Sequence, residues 1–212
     1  MSPGIRTCAE LWALIEEAFE SICHAYNRRW FIPLLEADLS GYAYHAIVGK
    51  LSGDASGIHL DTRVLGGAGS EKYDLVFGAC VETEERRRLA LQNAEPNVPD
   101  NVRRFLMSKA ALSEFRPAVR PELVIEFKFF AAGFTPPQLR EHFVQAQRDA
   151  PKLGALQAVC LDGRGLVLFD DAGYMSGQRE ARIIAQRAED DHLRVYLFQR
   201  TGSGEMKWRR IA

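Results

Sequence analysis

The stretch that decides the fold is Leu123 to Phe130, which reads Leu-Val-Ile-Glu-Phe-Lys-Phe-Phe. Its apolar composition is typical of a buried strand, with an acid and a base at its centre. Because side chains alternate along a strand, Glu126 and Lys128 point to one face and Phe127 to the other. Burying two charged groups costs on the order of several kcal/mol unless each has a partner or a metal. The stretch therefore indicates a chemical site, although an ion pair on a water-exposed edge strand would also explain it.

Two further acids lie at unusual places in the sequence. Asp74 stands in the middle of an apolar strand pattern, Lys-Tyr-Asp-Leu-Val-Phe at 72–77, where the alternative is a surface acid beside a turn. Glu36 shares the inward stripe of a predicted helix with apolar residues three, seven and eleven positions later, where acids are rare. Asp38 and Glu20 are the competing candidates for the role of this helix acid.

The bulk properties indicate an ordinary globular protein. The chain has 212 residues, 47% of them hydrophobic and 26% charged, with a formal net charge of −1. No stretch approaches the ~20 apolar residues that a membrane span needs. The N-terminus lacks the apolar core of a signal peptide, so we expect a cytoplasmic protein without a membrane partner. The four cysteines form no Cys-x-x-Cys pair, which favours scattered reduced thiols over a zinc or iron–sulfur site.

The periodicity predicts alternating helices and strands in a single domain of residues 1–212. We expect the core over about 30–162, a helical insertion over about 82–121 and a C-terminal elaboration over 163–212. The predicted helices are 9–27, 33–51, 82–91, 100–115, 135–153 and 178–188, and the predicted strands are 58–65, 72–77, 123–130, 156–161, 165–169 and 193–199.

The ordered set of Glu36, Tyr-Asp74-Leu-Val-Phe and Val-Ile-Glu126-Phe-Lys128, followed by a helix and a strand, resembles the PD-(D/E)xK nuclease superfamily. The resemblance runs from about Pro33 to Leu161. It implies an α/β, restriction-endonuclease-like fold: a mixed central sheet flanked by helices, with an α-β-β-β-α-β core and a helical insertion between its second and third strands. The proline of the motif's name is absent here, since Tyr73 precedes Asp74.

The resemblance also implies metal-dependent hydrolysis of phosphodiester bonds. Asp74 and Glu126 would bind Mg²⁺, for which Mn²⁺ can substitute, with the backbone carbonyl of Phe127 as a further ligand. Glu36 would assist the metal directly or through water, and Lys128 would orient the attacking water. The chemistry is reasonable on its own terms, because Mg²⁺ prefers oxygen ligands and usually takes only one or two protein carboxylates.

The helix after this strand carries polar residues along one stripe. Related nucleases often place a residue there that touches the site, and we select Gln138 and His142 because they lie closest to the strand end. Gln145 and Asp149 share their stripe. A solvated helix face explains the same spacing.

We therefore expect an endonuclease acting on nucleic acid, DNA rather than RNA, in restriction, phage defence or repair. An antibacterial toxin, an RNA-directed nuclease and an inert nucleic-acid-binding relative are the alternatives. Dimerisation is common in enzymes that cut both strands, so we expect a homodimer, although no residue indicates it. The phosphate backbone would be gripped by arginines of the insertion. These are Arg86, Arg87, Arg88, Arg103 and Arg104.

Overall fold

The structure is a computed structural model and describes residues 7–51, 57–64, 72–80, 119–177 and 179–212. Helices and strands alternate along the chain, as the periodicity predicts. In order they are α1 (Cys8–Asn27), α2 (Glu36–Lys50), β1 (Ile58–Thr62), β2 (Tyr73–Cys80), β3 (Val119–Phe130), α3 (Pro136–Gly154), β4 (Arg164–Asp170), α4 (Arg179–Asp190), β5 (Arg194–Arg200) and β6 (Met206–Arg210).

The strands form one mixed sheet in the order β1-β2-β3-β4-β5-β6. β1, β2 and β3 are antiparallel neighbours, β3, β4 and β5 run parallel, and β6 returns antiparallel to β5. Each parallel step is connected through a helix, α3 and then α4, as parallel strands require. The expectation of a mixed sheet flanked by helices is confirmed at this level.

Helices cover both faces of the sheet and create two apolar cores. The first core joins α1 and α2 to one face and includes Ile125, Phe127 and Phe129 of β3. The second joins α3 and α4 to the other face and includes Val124 and Phe130. Alternation along β3 therefore directs Glu126 and Lys128 toward the α3 side, opposite Phe127, as predicted.

Helix α1 is specified by its cap and its apolar stripe. The Thr7 backbone N–H donates to Glu10 Oε2 over 2.7 Å, and the Thr7 hydroxyl accepts from the Glu10 N–H, which forms a capping box. On its buried face, Trp12 Nε1 donates to the Asp162 carbonyl at 2.9 Å. Phe19 packs against Phe198 with ring centroids 5.2 Å apart. The first helix is thus held by the last third of the chain.

The predicted strand 156–161 is wrong. These residues form turns, because the Leu156 N–H donates back to Leu153 as α3 ends. The buried Arg164 guanidinium then donates to the carbonyls of Leu153, Gly154 and Leu161, which holds this turn closed. The strand that follows α3 is β4, so the segment 163–212, predicted as an elaboration, supplies β4, β5 and β6 of the sheet.

Other boundaries also differ from the prediction. Helix α2 begins at Glu36 rather than near Pro33, because Asp38 Oδ2 accepts the N–H groups of Leu34 and Leu35 and so caps the helix start. β3 begins at Val119, inside the range predicted for the insertion. The helices predicted at 82–91 and 100–115 lie outside the described residues. Within the described ranges, no helix is both long and apolar enough to cross a bilayer.

Candidate active site

The site forms where β2 and β3 separate. Their ladder pairs Leu75 with Ile125, and no pair is formed beyond this point in the described strands. Instead, Asp74 Oδ2 accepts the backbone N–H of Phe127 over 2.7 Å. A side chain thus takes the place of a backbone partner and keeps a buried N–H bonded. The N–H and C=O of one residue in an antiparallel ladder face the same neighbour, so the Phe127 carbonyl also faces this gap.

Glu126 and Lys128 are buried at the centre of the sheet. They are 3% and 8% exposed, and their strand is paired with β2 on one side and β4 on the other. The explanation that treats them as a surface ion pair on an edge strand is therefore wrong. Each needs a partner of opposite charge at this depth.

Lys128 finds its partners on two helices from opposite faces of the sheet. Its Nζ lies 3.0 Å from Glu36 Oε2 at the start of α2 and 3.2 Å from Asp149 Oδ2 on α3. Glu36 Oε1 also lies 3.4 Å from the Phe129 N–H and 3.5 Å from His142 Nδ1. The separation of β2 and β3 lets α2 and α3 meet at one ammonium group.

Glu126 has its own cationic partner on α3. Lys152 Nζ donates to Glu126 Oε1 over 2.5 Å and to the Lys72 carbonyl over 2.6 Å. It also lies 4.4 Å from the centroid of the Tyr73 ring. Helix α3 therefore presents an acid to Lys128 and, three residues later, a base to Glu126.

Burial and mutual repulsion raise the pKa values of the two strand carboxyls. Desolvation raises the pKa of Glu126 well above its ordinary value, and the neighbouring Asp74 charge adds to the effect. Desolvation also raises the pKa of Asp74, with the Phe127 N–H and Lys128 opposing the change. The two groups are neighbours because Asp74 accepts the N–H of Phe127, the residue that directly follows Glu126. Such a pair is destabilised when both groups are charged, and a bound cation relieves the repulsion.

The ammonium of Lys128 stays charged in this environment. Burial alone would lower its pKa, but the carboxylates of Asp149 and Glu36 raise it above the ordinary value. The site thus gathers four carboxyl groups and two lysines, which leaves an excess of two negative charges when all are ionised. These residues are Glu36, Asp74, Glu126, Asp149, Lys128 and Lys152.

The donor set fits a hard divalent cation. Two carboxylates from neighbouring strands meet in the gap, and an excess of two negative charges matches one divalent ion. Among the described residues no three His, Cys, Asp or Glu side chains converge as a ready-made metal cluster. Mg²⁺ does not require such a cluster, because it usually keeps several waters beside one or two carboxylates.

The structure brings Glu36, Asp74, Glu126 and Lys128 together, as the sequence predicts. Asp38, a competitor of Glu36, instead caps α2, and Glu20 is exposed on α1. Gln138, selected as an accessory residue, instead caps α3, because its Oε1 accepts from the N–H and hydroxyl of Thr135. His142 does reach the site, at Glu36. Lastly, the five arginines of the insertion lie outside the described residues.

The residues of α3 that contact the strand pair most closely were not selected from the sequence. Asp149 shares the stripe of His142 but lies farther from the strand end, and Lys152 continues that stripe at a spacing of three. The order of charges was the one indication available in the sequence. The helix carries an acid and then a base, Asp149 and Lys152, and these can pair with Lys128 and Glu126 of the strand. Spacing alone does not show which turn of the helix crosses the strand.

An open cleft of about 520 Å³ leads to this site. Glu36, Asp74 and His142 lie on its wall beside Asp61. Its remaining lining is mostly apolar, and consists of Leu34, Leu35, Ala37, Leu60, Phe129 and Phe134 together with Ser40. A ligand can thus reach the carboxylate of Asp74 from solvent.

Comparison with known proteins adds little to this geometry. No family model matches the sequence, and no curated protein matches it. Among solved structures, the SfsA of Pyrococcus furiosus in complex with Ca²⁺ is 15% identical, with a TM-score of 0.33. The match covers 81% of this chain and spans 62% of the length of that protein. A similarity this low carries no argument about fold family or function.

Proposed function

We propose that this protein is a metal-dependent endonuclease with a restriction-endonuclease-like core, which hydrolyses phosphodiester bonds in DNA. The observation that carries the proposal is the meeting of Asp74 and Glu126 in the gap between β2 and β3, beside the buried ammonium of Lys128. The described elements also occur in the α-β-β-β-α-β order that such a core has, namely α2, β1, β2, β3, α3 and β4.

Asp74 and Glu126 are the residues that would hold Mg²⁺ or Mn²⁺, with the Phe127 carbonyl facing the same gap. When bound, the metal lowers the pKa of a water molecule and stabilises negative charge on the phosphate. Lys128 is held between Glu36 and Asp149, where its ammonium can donate to the attacking water or to a phosphate oxygen. Its raised pKa keeps this donor charged throughout the physiological range.

The cleft provides a route by which a phosphodiester can approach Asp74 and Glu36. DNA is the substrate that we propose, and the arginines at 86–88 and 103–104 would supply the counter-charge for its backbone. A homodimer would place two such sites on the two strands of a duplex.

The test is plasmid cleavage by the purified protein with Mg²⁺ or Mn²⁺, compared with the same protein in EDTA. Two variants probe the site: Asp74→Asn, which keeps an acceptor for the Phe127 N–H but removes the charge, and Lys128→Ala. We expect each to reduce the cleavage rate by about 100-fold or more. Lys50→Ala is the matched control. Lys50 is a lysine on the same helix as Glu36, but it forms a surface ion pair with Glu17 of α1 at 2.7 Å.

Cleavage that persists in Lys128→Ala would contradict the assignment of this site. A wild-type protein that neither cleaves nucleic acid nor binds Mn²⁺ in calorimetry would support an inert module instead.

A further inference from the structure

The two strand carboxylates are each held at one oxygen. Asp74 Oδ2 accepts the Phe127 N–H, and Glu126 Oε1 accepts from Lys152 Nζ. One oxygen of each carboxylate is therefore engaged by a donor of the protein. The second oxygen of each is left for the other carboxylate or for a cation between them. The direction of Glu126 in the gap thus depends on Lys152.

Lys152 is itself fixed by its surroundings. An ammonium group has three N–H donors, and two of them go to Glu126 Oε1 and the Lys72 carbonyl. The Lys152 ammonium also lies over the face of the Tyr73 ring, 4.4 Å from its centroid, where it forms a cation–π contact. The Lys152 side chain is only 16% exposed, so little water competes for these contacts. The contacts tie α3 to the start of β2 and to the middle of β3.

We propose that Lys152 is a positioning residue that orients Glu126 for a divalent cation held with Asp74, an inference that rests on the proposed function. Groups that hydrogen-bond a metal ligand set its orientation, and their loss typically lowers metal affinity about 10- to 100-fold. Lys152 stays bonded to Glu126 Oε1 when the cation binds. Its three contacts involve only protein atoms and need no metal to form.

The direction in which cation affinity changes when Lys152 is replaced distinguishes a positioning role from simple charge repulsion. If Lys152 only placed a positive charge near the metal, then removing it would tighten cation binding. If Lys152 orients Glu126, then removing it weakens binding although a repelling charge has gone. A purely structural salt bridge would change thermal stability and leave the cation affinity of the folded protein unchanged.

The experiment is titration of the full chain with Mn²⁺ alone in a calorimeter, comparing the wild type with Lys152→Met. We expect the dissociation constant for Mn²⁺ to rise by about 10- to 100-fold in the variant. Arg148→Met is the matched control, because it removes a positive charge from an exposed position of the same helix. We expect its Mn²⁺ affinity to equal that of the wild type or to be slightly tighter.

Circular dichroism with a thermal scan verifies that each variant is folded. If Lys152→Met does not fold, then Lys152→Arg is titrated instead. Arginine keeps the charge, but its planar donor group does not fit the same three partners, so we expect weaker Mn²⁺ binding there too. Unchanged or tighter binding in the folded variant overturns the positioning role and leaves the nuclease proposal standing. A wild type that binds no Mn²⁺ overturns both, whereas one that binds Mn²⁺ without cleaving overturns only the nuclease.

Discussion

At the scale of single residues, Asp74 has two separate tasks. Its charge contributes to the acid pair in the gap, and its Oδ2 satisfies the buried Phe127 N–H. Asparagine keeps the second task and removes the first, whereas alanine removes both. The two substitutions can therefore separate the structural contribution of Asp74 from its electrostatic one.

We expect Asp74→Ala to lower the free energy of unfolding by about 1–3 kcal/mol more than Asp74→Asn does, because alanine leaves the Phe127 N–H without its acceptor. Urea unfolding in EDTA measures this difference. Equal stabilities of the two variants would show that the Phe127 N–H finds another acceptor. The hydrogen bond to Asp74 would then not be needed to stabilise the strands at the gap.

Glu126 gives the metal-free protein an unusual dependence on pH. Because burial raises its pKa above the ordinary value of 4.5, the folded protein holds this proton more tightly than the unfolded chain does. The resulting stability is fully present below about pH 4.5 and is lost as the pH rises through the folded-state pKa. Glu126→Gln lacks this dependence.

We therefore expect the free energy of unfolding of Glu126→Gln, minus that of the wild type, to increase as the pH is raised from 4.5 towards neutrality. Urea unfolding at a series of pH values in EDTA provides the measurement. A difference that stays constant would mean that Lys152 offsets the effect of burial on the charged carboxylate, and one that decreases would mean that Lys152 outweighs it.

The strand residues of the site could be predicted from the sequence, and the helix residues only in part. Alternation is strict in a strand, so Glu126 and Lys128 had to share a face, and their place in an apolar run meant burial. A helix stripe is less informative, because every third or fourth residue belongs to it. Asp149 and Lys152 lie several turns after Gln138, where α3 crosses β3, and local sequence does not encode where that crossing occurs.

At the scale of elements, α3 shows how one helix combines a cap, a site and a tight ending. Its first turn is closed by Gln138, whose Oε1 accepts two hydrogen bonds from Thr135 at 2.8 Å each. Its fourth and fifth turns carry the acid and the base of the site, Asp149 and Lys152. The end of α3 is held by Arg164, which reaches back from β4 to the Leu153 and Gly154 carbonyls.

We expect Gln138→Ala to lower the free energy of unfolding by about 0.5–1 kcal/mol through loss of the capping box, while metal-dependent cleavage keeps its wild-type rate. Urea unfolding and the plasmid assay, run on the same preparation, measure the two effects. A large loss of cleavage without a change in stability would restore Gln138 to the site.

Arg164 is fully buried, and its guanidinium donates to backbone carbonyls rather than to a carboxylate. We expect Arg164→Leu to lower the free energy of unfolding by about 2–4 kcal/mol, because three carbonyls lose their donor in an apolar setting. Thermal unfolding provides the measurement. A variant as stable as the wild type would mean that water replaces the guanidinium.

The same residue explains why an extra strand was predicted at 156–161, ahead of the strand predicted at 165–169, which does form as β4. Leu156 to Leu161 carries the apolar composition of a short strand. Its backbone is instead folded into turns, and the Leu161 carbonyl at their end accepts from Arg164. An arginine contact of this kind overrides local propensity, and periodicity alone does not reveal it.

At the scale of the whole molecule, the layered α/β architecture followed from the order of its elements. Strands separated by helices predict parallel neighbours, and the sheet has them at β3, β4 and β5. β6 was missed because Met-Lys-Trp-Arg-Arg has only one buried residue, Met206, and so lacks a strand's apolar pattern. Its place at the sheet edge accounts for that polarity.

The contacts of α1 have a consequence for how the chain is made. Trp12 and Phe19 find their partners at Asp162 and Phe198, which leave the ribosome after most of the chain has been synthesised. Until then part of the apolar face of the first helix lacks its native partners, even with α2 packed against it, and a nascent chain in this state is a natural client for a chaperone. Deletions from the C-terminus should therefore damage the protein by exposing its beginning.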